Sequence, residues 1–559
     1  MTNQKTFTKQ IKKKTPAYIF VVGGVMSGVG KGITASSIAQ ILQARGLTVT
    51  AMKIDPYINV DAGTMNPTEH GEVFVLRDGL ETDQDMGNYE RFLNIDIPGI
   101  NYMTTGSVYR DVIEKERSGG YKGRNVEVVP DIPLEVIRRF ENVAVAANAD
   151  VVIVEIGGTV GEYQGVLFLE AIRMMKARAP EHVAVVMVSY LPVPGSVGEM
   201  KTKPTQTAVR SLNSAGVFAD FIVARGPLPL DEKRKDKIAQ FCNVKREHII
   251  SAPDVASIYD VPLNFEKDNF SEHLCDVLHL PCTSEADMSA WKSFVKKTKS
   301  TKQEVTIAVI GKYFSSGEFI LSDVYISVLE AIKYSAYSLG AKPVIRYFSS
   351  QEFEENPKKL KELESVDGIL VPGGFGTTGI DGILATIHYA RIKKIPYFGI
   401  CYGMQLAVIE YARNVLKMHD AHTVEINPNT PFPLIDVMDA QRDNVATQNL
   451  GGTMRLGEYP AHLKKGTIAA TAYKKTEISE RHRHRYEVNN AYVVELEKGG
   501  IHFSGTSPSG DLMEIMELPI EQHPFFVATQ FHPEFHARPL SPHPLFTQFL
   551  KASLEQQKK

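Results

Sequence analysis

Cysteine is scarce in this chain. Cys242, Cys275, Cys282 and Cys401 are the four present in 559 residues, too few for the disulfide framework that staples small secreted domains. None stand at the two-residue spacing of a thiolate zinc site, which argues against structural zinc. An excess of charge is also lacking: 62 Lys and Arg face 65 Asp and Glu, a net charge of −3. No global basic field therefore awaits a nucleic-acid polymer. Long apolar runs are missing too. No stretch reaches the roughly 18 residues of a membrane helix. The apolar run 18–22, behind Lys5, Lys9, Lys12, Lys13 and Lys14, is far shorter than a signal-peptide core and ends in glycines. The expectation is a protein of the reducing cytoplasm, with neither a membrane nor a nucleic-acid polymer as partner.

Nor is there an internal repeat. What the chain has is an alternation of short buried-strand patterns with helical ones. Residues 19–22, 48–54, 151–156, 183–189 and 221–223 are rich in β-branched and apolar residues, which predicts a parallel α/β sheet. Between 284 and 303 the pattern lapses into Ser, Lys and Thr, read as a short helix and an exposed linker. A second α/β series follows at 305–311, 368–371, 397–400 and 526–529. A single core seldom exceeds about 250–300 residues. The expected layout is thus a basic arm over 1–17, a parallel-sheet domain over 18–283, a linker over 284–303 and a second, independent α/β domain over 304–559.

The first strand runs into Gly23-Gly24-Val25-Met26-Ser27-Gly28-Val29-Gly30-Lys31-Gly32 and then a helical pattern. Glycines let backbone N–H groups converge, a helix N-terminus adds positive potential, and a lysine neutralises phosphate charge. The match to the strict P-loop is imperfect. Gly24 is one residue too far from Gly30, and Gly32 stands where the magnesium-binding Ser or Thr belongs. The alternative is a structural glycine turn. If the hydroxyl is missing, carboxylates must hold Mg2+, and the candidates are Asp85 and Glu155, the latter at the C-terminal end of a strand. Lys53, ending the second strand, and Lys201-Thr202-Lys203-Pro204-Thr205-Gln206 also suit phosphate; a solvated turn is the alternative for each.

The sharpest motif is Phe398-Gly399-Ile400-Cys401-Tyr402-Gly403-Met404-Gln405. A strand ending in Gly-X-Cys-X-Gly before a helix is a nucleophile elbow. The helix N-terminus lowers the thiol pKa and offers donors to an oxyanion, and the N–H groups of Gly373 and Gly374 could complete that hole. The later Gln530-Phe531-His532-Pro533-Glu534 supplies a base and its orienting carboxylate. Together these predict a glutaminase with Cys401, His532 and Glu534 as its catalytic triad. The run Arg481-His482-Arg483-His484-Arg485 tempts a nucleic-acid or metal reading. Within a glutaminase, Arg485 is better read as a fork for the substrate's α-carboxylate.

The segments GGVMSGVGKG, MKIDPYINVDAGTMNPTEHGEVFVLRDGLETDQDMGNYERF, VEIGGTVGE, KTKPTQ, GGTMRLG and RHRHRYEVNN closely resemble the CTP synthase family, over about residues 18–549. The second half is similar to class I glutamine amidotransferases in general. The resemblance implies a P-loop synthetase domain joined to an amidotransferase domain. ATP would phosphorylate O4 of UTP, and ammonia released from L-glutamine at Cys401 would pass through a tunnel and displace that phosphate to give CTP. By position it implies that Gly28, Val29, Gly30, Lys31, Gly32 and Ile33 hold ATP, with Asp254 and Val255 on the adenine side. It assigns Mg2+ to Asp85 and Glu155. UTP and CTP fall to Ser27, Lys201, Thr202, Lys203, Pro204, Thr205, Gln206 and Lys237. Glutamine falls to Gly374, Tyr402, Gly403, Met404, Gln405, Glu425 and Arg485. It further implies feedback by CTP, GTP as an allosteric activator, a homotetramer and filaments. The departures cluster in regulation. Gly161-Glu162-Tyr163-Gln164-Gly165 replaces the family's CTP-feedback segment, Asp131 replaces a histidine, Thr378 replaces an arginine associated with GTP, Tyr402 replaces a leucine, and 441–449 is short. The alternative class is a nucleotide-binding filament or regulatory paralogue with reduced turnover, which the intact triad argues against.

Overall fold

The computed structural model describes residues 15–195, 198–282, 285–316, 319–320, 322–438, 441–447 and 451–558. The lysines of the expected basic arm, Ser284 and residues 448–449 lie outside the described residues. The chain forms two compact units, Met1–Ile58 with Ile100–Met288, and Asn59–Gly99 with Ser289–Lys559.

The first unit is built on seven parallel strands in the order Tyr102–Thr104, Val49–Asp55, Val151–Ile156, Ala17–Gly24, Val183–Tyr190, Phe221–Gly226 and Ile249–Pro253. Val151–Ile156 reads Val-Val-Ile-Val-Glu-Ile and is buried at every position. A strand apolar on both faces needs helices on both sides, which is the parallel α/β arrangement the alternation predicts. Helix Lys31–Ala44 follows the first strand directly, and its small residues Ala35, Ser36, Ser37 and Ala39 are all buried. The loops at the strands' C-terminal ends make the crevice where such sheets take ligands.

One local feature departs from expectation. Cys275 and Cys282 are joined by a disulfide, with Cα atoms 6.2 Å apart; Cys242 and Cys401 are free. A count of four cysteines excludes a network of bridges but not a single local pair. Here the chain reverses just after helix Phe270–Val277, where the Leu280 N–H donates to the Cys275 carbonyl.

The second unit has a nine-stranded sheet ordered Ala341–Ser349, Gln303–Gly311, Gly368–Val371, Tyr397–Ile400, Phe526–Thr529, Met513–Glu517, His502–Thr506, Arg455–Leu463 and Glu477–His484. The first five are parallel and the remainder antiparallel. Three strands of the expected second series recur with the same bounds. The antiparallel wing was not expected, because its last strand, Glu-Ile-Ser-Glu-Arg-His-Arg-His, reads as polar surface. In the fold Arg481 and His482 are fully buried. Charges tolerate such burial only when partnered. The Arg481 guanidinium donates to Glu90, Asp96 and the Val75 carbonyl, all in Asn59–Gly99. That segment, which belongs to the N-terminal half of the sequence, is thus part of this unit's core. Helix Ser289–Ser300 lies within the stretch expected as linker. It buries Trp291, Phe294 and Val295, with Trp291 against Phe92 at 5.1 Å.

Candidate active site

In the second unit, Tyr397–Ile400 turns into helix Tyr402–Asn414 through Cys401, whose φ is 51° and ψ −98°. A non-glycine residue rarely takes positive φ, and such strain persists where the surroundings over-determine it. The two flanking glycines show why. A Cβ at Gly403 would come 2.4 Å from the Val371 carbonyl oxygen, and one at Gly399 would strike the Tyr397 hydroxyl at 2.7 Å. The Cys401 N–H donates to the Thr529 carbonyl at 2.6 Å, pinning the elbow to the neighbouring strand. The thiol therefore sits at the N-terminus of a 13-residue helix, where the dipole favours a thiolate.

His532 and Glu534 follow strand Phe526–Thr529, adjacent to the elbow strand. Nδ1 of His532 lies 2.7 Å from Oε1 of Glu534, so Nε2 is the nitrogen available to the thiol. Burial opposes a charged ring, but the Glu534 carboxylate, with Cys401 next, outweighs it and lifts His532 to about 10. The ring stacks on Phe535 at 5.2 Å, and the His532 N–H donates to the Arg481 carbonyl at 2.8 Å. A cavity of about 60 Å³ opens on Cys401, His532, Glu534, Gly373, Gly374, Tyr313, Arg483 and, from Asn59–Gly99, Pro67, Glu72 and Val73.

The glycine loop beside the thiol is tied down on several sides. A Cβ at Gly373 would come 3.7 Å from the Cys401 Cβ, so the loop passes close to the nucleophile. The Phe375 N–H donates to the Tyr313 hydroxyl and the Gly376 N–H to Glu425, both at 3.0 Å. The Gly376 carbonyl accepts from the Tyr402 hydroxyl at 3.0 Å and from Lys312. Tyr402, the departure from the family's leucine, thus clamps this loop. Lys312 lies over the Tyr402 ring at 4.8 Å, and burial lowers its pKa to about 8 against the pull of Glu425. Gly374 lines the cavity, while Gly403, Met404 and Gln405 are buried in the first helical turn. Of the arginines, Arg483 is on the cavity wall; Arg485 donates to Gln441 at 3.1 Å and to Thr453 at 2.7 Å. Glu72, Lys312, Tyr313 and Arg483 escaped sequence reading. Only the cationic run containing Arg483 gave a signal.

In the first unit, the chain leaves strand Ala17–Gly24 and turns through Val25, Gly28 and Gly30, with φ of 77°, 68° and 88°. Lys31 opens the helix, is buried, and donates from Nζ to the Gly158 carbonyl at 2.8 Å. Ser27 and Gly28 are exposed; Val29 and Gly32 are buried. Beside the helix N-terminus lies a cavity of about 210 Å³. It brings together the expected Gly30, Ile33, Asp254 and Val255 with Thr34, Arg225, Asn264 and the apolar Ile258, Val261 and Phe265. Arg225, which the sequence did not flag, pairs with Asp254 at 2.6 Å. Apolar walls with a few polar groups beside a helix N-terminus have the make-up of a small-molecule site that can take an anionic ligand.

Lys53 and Glu155 lie opposite each other on adjacent strands and form a buried ion pair at 2.8 Å; Lys53 is not in a solvated turn. Asp85 begins helix Asp85–Leu93 in the other unit, accepting from Asn88 at 3.3 Å. Among the described residues no three metal-capable side chains cluster. Helix Lys203–Ser214 starts within the Lys201–Gln206 motif. Thr202 and Thr205 are buried, Thr205 accepting from Ser189 at 2.8 Å, and Gln206 donates to Thr202 at 3.1 Å. Lys201 pairs with Glu199 at 2.8 Å, Pro204 is half-buried, and Lys203 and Lys237 are exposed.

A family model described as the CTP synthase N-terminus matches residues 17–280, and one for class I glutamine amidotransferases matches 320–552. The chain is 49% identical to the CTP synthase of Halalkalibacterium halodurans, covering 97% of this chain and 99% of that protein. It is 50% identical to the CTP synthase of Pyrococcus abyssi, covering 96% and 98%, and 47% identical to that of Bacillus subtilis, covering 96% and 98%. The chain belongs to the CTP synthase family. The structure places Asp131, Glu162, Tyr163, Gln164 and Thr378 as follows. Asp131 accepts from the Arg124 guanidinium and from the Glu127 N–H at 2.9 Å, so the carboxylate is fixed by an arginine of this chain. Glu162 is exposed and accepts from Thr159; Tyr163 is 97% exposed, and Gln164 is exposed beside it. Thr378 is exposed, ahead of Gly379, whose φ of 70° starts helix Ile380–Lys393. The non-catalytic alternative finds no support among CTP synthase relatives that align over 96–97% of the chain.

Proposed function

We propose that this chain forms CTP from UTP, using ATP and the amide nitrogen of glutamine, with Cys401, His532 and Glu534 as the glutaminase triad. The observation that carries the reading is the positive-φ elbow presenting Cys401 beside the His532–Glu534 pair, in a chain that also carries the lysine-headed phosphate loop. The Cys401 thiolate attacks the glutamine carboxamide carbon. N–H groups of Tyr402 and the Gly373–Gly374 loop stabilise the oxyanion. The His532 imidazolium gives its proton to the departing nitrogen, releasing ammonia and leaving a γ-glutamyl thioester. Neutral His532 then takes a proton from water, which adds to the thioester carbon; collapse returns the thiolate and releases glutamate. Glu425 and Arg485, with Gly374 and residues 402–405, bind glutamine.

In the synthetase unit, Gly28–Ile33 with Lys31 hold the ATP phosphates, and Asp254 and Val255 flank the purine. Ser27, Lys201 to Gln206 and Lys237 take UTP. ATP phosphorylates the uracil O4, since a carbonyl oxygen is a poor leaving group, and ammonia delivered internally displaces the phosphate. The carboxylates of Asp85 and Glu155 offer the hard oxygen donors that Mg2+ takes, and bound Mg2+ would screen phosphate charge. Regulation by CTP through 162–164 and by GTP, a homotetramer and filaments belong to the same proposal. A cytoplasmic setting would keep Cys401 reduced.

The test is CTP formation, read by absorbance, from UTP, ATP, Mg2+ and glutamine. No CTP with either glutamine or ammonia would sink the proposal. Cys401→Ala is expected to abolish glutamine-dependent synthesis and keep the ammonia-dependent reaction. Lys31→Ala is expected to abolish both.

A further inference from the structure

We propose that Gln530 is a further catalytic residue of the glutaminase, its side-chain amide donating a hydrogen bond to the Cys401 thiolate; this rests on the glutaminase reading above. Gln530 follows strand Phe526–Thr529 directly and precedes His532 by two residues. Its Nε2 lies 3.6 Å from Sγ of Cys401, and the residue is 1% exposed. The backbone is pinned by its N–H donating to the Glu514 carbonyl at 2.8 Å.

The amide's orientation is set from the elbow helix itself. Gln405, in the first turn after the nucleophile, donates from Nε2 to the Tyr486 carbonyl at 2.8 Å and to Oε1 of Gln530 at 3.3 Å. The Tyr486 carbonyl can only accept, so Gln405 must present its NH2 there. The oxygen of Gln530 then faces a donor, and its own NH2 is turned to the sulfur. The sulfur's other polar backbone neighbour, the Arg483 carbonyl at 3.8 Å, is an acceptor and favours the protonated thiol. Besides Cys401, the charged and titratable groups around the cavity are Glu72, Arg483, His532, Glu534, Tyr313 and Tyr325. Gln530 places a neutral amide donor within reach of the sulfur. It lies off the cavity, so it acts on the nucleophile rather than on the substrate.

A hydrogen bond to an anion is about twice as strong as a neutral one, and its loss corresponds to roughly a ten- to hundredfold change. The test is the pH profile of Cys401 alkylation by iodoacetamide, measured with glutamine kinetics on the full-length protein and on Gln530→Met and Gln530→Glu. In Q530M the profile is expected to move to higher pH, with about tenfold slower alkylation near neutrality. The kcat for glutamine is expected to fall while KM holds. In Q530E, where an acceptor replaces the donor, the shift is expected to be larger. An unmoved profile in either folded variant, judged by its thermal unfolding midpoint, overturns the proposal, and so does failure of both variants to fold, since the amide would then be structural. Alkylation needs no turnover, so a shifted profile in a protein that never hydrolyses glutamine would uphold the thiolate contact and sink the glutaminase reading instead.

Discussion

At the residue scale, the chemistry turns on how His532 keeps its proton. Burial alone would drive the ring neutral, and the Glu534 carboxylate reverses this, holding it charged to about pH 10. Glu534→Gln keeps the shape and removes the charge. The imidazolium should then deprotonate at lower pH, so the alkaline limb of glutamine hydrolysis moves down by more than one pH unit, with kcat reduced roughly ten- to hundredfold. A pH–rate profile checks this, and an unmoved limb would mean that Glu534 only orients the ring. The same pair has a stability consequence of fixed sign. A folded pKa above the ordinary 6.5 contributes stability that is complete below about 6.5 and is lost as pH rises through about 10. The wild type's advantage over E534Q in thermal midpoint should therefore shrink steadily between neutral pH and pH 10.

At the element scale, the elbow depends on glycine where a strand and a helix approach each other. Gly403→Ala would place a methyl 2.4 Å from the Val371 carbonyl, and backbone cannot give way as a flexible side chain can. The expected result is destabilisation of about 1–3 kcal/mol and loss of glutamine-dependent synthesis, read by thermal unfolding and by assay. A variant with native stability and activity would contradict this geometry. The elbow was legible in the sequence because its requirement is local: Gly399, Cys401 and Gly403 have a spacing that few other structures demand. Strand 151–156 was legible for a similar reason, since the apolar run 151–154 has few places to go. Strand Glu477–His484 was not, because its polarity is offset by partners far away in sequence. Burial and the Arg455 charge keep His482 and His484 neutral, and His536 and His543 hold the Glu480 carboxylate ionised. The place of Gln530 depends on an amide orientation set by Gln405 and a sulfur contributed 129 residues earlier, and sequence spacing carries neither.

At the scale of the whole molecule, the second unit draws on both halves of the chain, and Arg481 ties the two together. Its guanidinium is fully buried, 2.9 Å from Glu90 and 2.8 Å from Asp96, while Arg538 shares the same two carboxylates. Two buried cations thus share one buried carboxylate, Glu90, and one exposed carboxylate, Asp96. Removing one member leaves an uncompensated buried charge, at a cost of about 3–5 kcal/mol, whereas removing an oppositely charged pair together restores the balance. Glu90→Met and Arg481→Met should each lower the unfolding midpoint of this unit. Each should also weaken glutamine hydrolysis, because the Arg481 carbonyl receives the His532 N–H. The double variant keeps Arg538 with Asp96, so its destabilisation should lie nearer that of one single variant than the sum of the two. Denaturant unfolding of the four proteins closes the cycle. Strict additivity would mean that the charges are screened by water, and that Asn59–Gly99 is held to this unit by its apolar contacts, such as Phe74 against Phe535, without help from the buried arginine.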